Sequence, residues 1–109
     1  MTTTYFISRH PGALEWLSRQ GVRVDQTIDH LDMARIEAGD TVIGTLPVNL
    51  AADVCDNGAQ YVHLSLRLPP ALRGQELSAQ MMDELGARLE AYHVTRKDAG
   101  NAPNPGKPS

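Results

Sequence analysis

The stretch TYFISRHPGALEW, residues 4–16, changes character twice, and those two changes decide the fold. Thr4 to Ile7 are β-branched or aromatic residues, which suit a pleated, half-buried surface. Ser8, Arg9 and His10 are polar. Pro11 and Gly12 then open a segment in which Leu14 and Leu17 recur at helical spacing until Gly21 stops it. This reads as a strand over residues 3–8, a tight turn, and a helix over 12–20. Such a unit points backbone amides and polar side chains into one crevice at the carboxyl end of the strand.

The same alternation continues along the chain. VRVDQTID, residues 22–29, alternates like a strand, and Asp32 is placed to cap a short helix through Glu37. TVIGTL, residues 41–46, reads as a buried strand. Pro47 pre-sets the start of the next helix, which Asn57 and Gly58 end. QYVHLSL, residues 60–66, is the fourth strand, and Arg67 to Glu76, with Pro69, Pro70 and Gly74, is a loop. Ser78 is expected to cap a last helix, with Leu77 and Met82 as a hydrophobic staple and Met81, Leu85, Leu89 and Tyr92 along one stripe. From Thr95 the chain loses apolar periodicity and becomes rich in Pro, Gly and Asn, so residues 95–109 are expected to be a disordered tail after a domain of residues 1–94.

Four strand–helix repeats with short links predict one small Rossmann-like α/β domain, a mostly parallel four-stranded sheet with helices on both faces. The length of 109 residues suits a single core, and with 41% hydrophobic residues and no run near 18 apolar residues the chain reads as a soluble protein. The start MTTTYFIS shows no secretory pattern, so the cytoplasm is the expected location. One cysteine, Cys55, excludes an internal disulfide and multi-cysteine zinc patterns, and its setting among alanines and valine suits packing. A net charge of −3 argues against binding long nucleic acid through a general basic surface.

Ligands of open α/β sheets bind outside the carboxyl ends of the strands. That rule selects Ser8, Arg9 and His10 after strand one, Asp29 and His30 after strand two, Gly44, Thr45 and Asn49 after strand three, and Ser65 and Arg67 after strand four. An arginine can fork onto a phosphate and a histidine can exchange a proton near neutral pH, so Arg9 and His10 suit phosphate ester chemistry. Gly44 permits close backbone approach, and Thr45 and Asn49 flank a helix start, where an anion is favoured. Arg67 and Arg73 bound a segment long enough to cover the strand ends. His63, on the strand face shared with Tyr61 and Ser65, reads as a hydrogen-bonded structural residue, and His93 as a residue meeting the dipole at the end of the last helix. No two of the 4 histidines stand three or four residues apart, so no metal and no cofactor is expected. The dinucleotide and triphosphate glycine fingerprints are both absent from the sequence.

YFISRHPGALEWLSRQG, IDHLD, GDTVIGTLPVNLAADVC and YVHLSL together resemble the sixteenth Csx family of CRISPR-associated accessory proteins found beside type III systems, over Thr3 to about Val94. The resemblance implies a fold related to CARF domains and a ring nuclease activity on cyclic oligoadenylate, foremost the tetra-adenylate. It also implies a homodimer whose two strand-end crevices face one ring. On that reading Arg9 holds the scissile phosphate and His10 moves a proton, with Ser8, Gly44, Thr45, Asn49, Ser65, Arg67 and Arg73 around the substrate. Two alternatives stand beside it. The strand followed by Arg-His also resembles the signature of histidine phosphatases, although Pro11 replaces their glycine; and the same crevice could bind cyclic oligoadenylate without cutting it.

Overall fold

The computed structural model of the chain describes residues 2–8, 11–72 and 74–97. Five strands form one sheet: β1 (Thr4–Ile7), β2 (Gln26–Ile28), β3 (Thr41–Gly44), β4 (Gln60–Ser65) and β5 (Arg88–Tyr92), in the order β2-β1-β3-β4-β5. The first four are parallel, and β5 runs antiparallel to β4. The helices are α1 (Pro11–Arg19), α2 (Val48–Asp56) and α3 (Ala79–Glu84). Among the described residues no helix is long and apolar enough to cross a membrane.

Two cores follow from strand alternation. Phe6, Ile43 and Leu64 face Ala13, Trp16 and Leu17 of α1 and Ala79 and Met82 of α3. Tyr5, Val42 and Tyr61 face Ala51, Val54 and Cys55 of α2, together with Ile36 from the link between β2 and β3. Helices therefore cover both faces, as the sequence predicts. Leu17, Val42 and Val54 are wholly buried, and each such side chain contributes about 1.5–3 kcal/mol relative to exposure. The two helices of the first face are tied by the Trp16 indole N–H, which donates to Asp83 Oδ1 at 2.6 Å.

The expected caps form. The Asp32 side chain accepts from the Ala34 amide at the single 3₁₀ turn Met33–Arg35, and Ser78 Oγ accepts from the Met81 amide at the start of α3. The sheet and the last helix need correcting, because the sheet has five strands and the helix expected to run through Tyr92 stops at Glu84. Gly86 takes φ +74°, and the amides of Leu85, Gly86 and Ala87 close back onto Met81, Asp83 and Met82. The chain then returns as β5; Ala87, just before it, and Leu89 pack into the first core while Glu90 and Tyr92 lie on the other face. His93 consequently follows a strand and does not stand at the end of the last helix. Residues 93–96 lie along α2: the Val94 amide donates to Cys55 Sγ at 3.4 Å, and Arg96 pairs with Asp53 and Asp56. Of the expected tail, residues 98–109 lie outside the described residues.

Candidate functional site

The strand order reverses direction between β1 and β3, the point at which an open α/β sheet leaves a crevice beyond its strand ends. A cavity of about 320 Å³ lies there. Ser8, just past β1, and Gly44 and Thr45, at the end of β3, line it together, so the two segments expected to share a pocket do so. A Cβ on Gly44 would stand 3.3 Å from Ile7 Cβ and 3.4 Å from the Ile7 carbonyl oxygen. The glycine thus serves the close approach of β1 and β3 at the cavity. The rest of the wall is largely apolar: Phe6, Leu64 and Met82 from the core, and Leu66, Leu68 and Leu77, with Gln75, from the segment after β4. That segment does border the cavity, as a cover would, and does so through its leucines.

The other expected residues that are described are placed apart from the cavity wall. Asn49 is exposed on the first turn of α2, where its carbonyl accepts from Arg96 at 3.1 Å. Ser65 turns to the opposite face of the sheet and donates to Glu90 Oε1 at 2.8 Å. Arg67 is exposed, its backbone amide donating to the Leu85 carbonyl at 3.0 Å. Asp29 and His30 are exposed after β2. Arg9, His10 and Arg73 lie outside the described residues. Among the described residues no group of three or more His, Cys, Asp and Glu side chains could hold a metal ion.

A polar face that the sequence did not assemble lies on the α2 side of β4 and β5. Cross-strand pairing sets Tyr61 opposite Tyr92, His63 opposite Glu90 and Ser65 opposite Arg88. The Tyr61 hydroxyl is the hub of this face. It receives the Leu46 amide at 2.9 Å, lies 3.1 Å from the Gly44 carbonyl oxygen, and lies 2.6 Å from His63 Nδ1. Burial pushes the Tyr61 phenol above its usual value, against the pull of the Leu46 amide, so the hydroxyl keeps its proton. The His63 ring also meets Tyr92 edge to face, with centroids 6.1 Å apart. Glu90 is held below the usual carboxylate range, first by the Ser65 hydroxyl and then by the nearby Arg88 guanidinium, 3.4 Å away. The signal that could have found this face is the alternation Ala87-Arg88-Leu89-Glu90-Ala91-Tyr92, which fits a strand as readily as a stripe.

Comparison with curated proteins and with solved structures returns no match. A family model described as "Putative CRISPR-associated protein (Cas_VVA1548)" matches residues 5–95, which span all five strands and all three helices but for the first residue of β1. The chain belongs to that CRISPR-associated family.

Proposed function

We propose that this chain is a ring nuclease, which binds cyclic oligoadenylate, foremost cyclic tetra-adenylate, and opens it to switch off type III CRISPR signalling. The observation that carries the reading is the crevice at the β1/β3 reversal, where Ser8 and the Gly44–Thr45 backbone meet, in a chain of a CRISPR-associated family. Each phosphodiester of the ring stands beside a ribose 2′-hydroxyl. Attack by that oxygen on phosphorus forms a 2′,3′-cyclic phosphate and expels the 5′-oxygen, with no external nucleophile. The protein has to align the reacting atoms and neutralise charge. Arg9 is assigned the phosphate and its added charge, His10 the proton delivered to the departing 5′-oxygen, and the first amides of α2 a supporting role.

Cavity size bears on stoichiometry. About 320 Å³ is at the lower end of small-ligand sites, roughly 300–1,000 Å³, and suits one nucleotide unit rather than a ring of four. Two copies facing one ring would divide it between two such crevices, which is why we favour a homodimer acting in the cytoplasm. The test is incubation of the purified protein with cyclic tri-, tetra- and hexa-adenylate in EDTA, with products identified by mass. Short linear oligoadenylates ending in 2′,3′-cyclic phosphate are expected. Intact ligand retained by the protein would leave a binder, and inorganic phosphate released from monoesters would favour a phosphatase.

A further inference from the structure

The contacts of the Tyr61 hydroxyl favour one tautomer of a histidine. A phenol has one proton to give and two lone pairs to receive with. The Leu46 amide can only donate and the Gly44 carbonyl can only accept, so an arrangement that satisfies both has the phenol give its proton to Gly44 and receive from Leu46. One lone pair remains, so all three contacts are hydrogen bonds at once only when His63 Nδ1 carries the proton. A neutral His63 then has its lone pair on Nε2, the nitrogen that points away from Tyr61. The ring is partly exposed, and Tyr92 flanks it.

The position of this nitrogen connects it to the crevice. His63 pairs in register with Gly44, the last residue of β3, and the hydroxyl that orients it is bonded to the backbone on either side of Thr45. The Gly44–Leu46 crest is therefore shared: the cavity lies against its α1 side and His63 against its α2 side. The charged groups on the elements around His63 are already paired, Glu90 with Arg88 on β5 and Asp53 and Asp56 of α2 with Arg96. Nε2 of His63, on this face, is then left with a lone pair to offer.

We propose that His63 is the general base of the strand-end site and that Tyr61 is its positioning residue. This rests on the ring nuclease reading and adds to it an acceptor for the nucleophile's proton. A nucleotide laid across the crest puts its base in the apolar cavity and its ribose phosphate on the His63 side. Nε2 takes the proton of the 2′-hydroxyl, the O2′–P bond forms, the P–O5′ bond breaks, and O5′ leaves with a proton from the general acid. Proton count and charge balance between base and acid, and the next turnover needs only exchange with water.

Two measurements test this. In the ligand-free protein, nitrogen chemical shifts of labelled histidine should report Nδ1–H at His63, and an Nε2–H tautomer would overturn the assignment. In the cleavage assay a histidine base must be neutral, so the wild-type rate falls on the acid side; His63→Ala should lower kcat about 10²- to 10⁴-fold and abolish that acid limb, with binding of cyclic tetra-adenylate retained. Tyr61→Phe keeps the ring and its packing. It should lower kcat about 10-fold or more by releasing the tautomer, with KM held, and unchanged kcat would count against Tyr61 as the positioning residue. A His63→Ala variant that cleaves with the wild-type pH profile sinks this proposal alone; a wild-type protein that forms no product sinks the ring nuclease reading with it.

Discussion

At Gly12 a Cβ would stand 1.8 Å from the Leu77 carbonyl oxygen and 2.9 Å from its carbon. Backbone cannot step aside as a side-chain tip can, so the first turn of α1 requires a glycine against the entry to α3. Gly12→Ala should destabilise the fold by about 1–3 kcal/mol, read as a lowered melting midpoint, and an unchanged midpoint would show that the two helices separate easily. The sequence reads Gly12 as the opening of a helix, and nothing local in it reveals a contact 65 positions away. Asp40 is another residue whose work is distant. Its carboxylate accepts from the Thr3 amide and the Glu37 amide, both at 2.9 Å, tying the N-terminal strand to the entry of β3. These amides, Glu37 first, hold its pKa below the ordinary 3.8. A carboxylate with a depressed folded pKa contributes stability that is fully present above the unfolded value and is lost as pH falls through the folded one. The melting-point gap between wild type and Asp40→Asn should therefore be constant near neutrality and close only below about pH 3.8; a gap that closes already near pH 6 would assign the effect to another group.

At the scale of elements, residues 79–92 show why one segment conceals a polar face of the sheet. Met81, Leu85, Leu89 and Tyr92 satisfy helical spacing, and Ser78 is a true cap, so a long helix is the natural reading of the sequence. Gly86 is the dissenting residue. Its φ of +74° turns the chain back, and Leu85 completes α3 while Leu89 serves β5. Gly86→Ala forces a Cβ into the left-handed region and should cost about 1 kcal/mol, with the loss measured by denaturant titration. No loss would mean that the turn relaxes into a longer helix. Because β5 was hidden, Glu90 and Tyr92 could not be set beside His63, although the alternation of Tyr61, His63 and Ser65 along β4 was legible. The β1 turn and the β3 turn were legible for the opposite reason, since each is punctuated by Pro and Gly next to a β-branched run.

For the whole molecule, the sheet order brings residues 8 and 44–45 to one crevice of about 320 Å³, and the proposed function divides one ring between two such crevices. Native mass spectrometry with uncleaved cyclic tetra-adenylate should show two chains per ring, and a one-to-one complex would reassign the ligand to a single protomer's surface. Strand order has a further consequence, for solvent exchange. β1, β3 and β4 each have strand neighbours on both sides, while β2 and β5 are edges. Backbone groups bonded in the middle of a sheet open only when much of the fold opens with them. Placed in heavy water, the protein should lose the hydrogens of Gln26–Ile28 and Arg88–Tyr92 early, and those of Phe6, Val42 and Val62 should be the last to be replaced by deuterium.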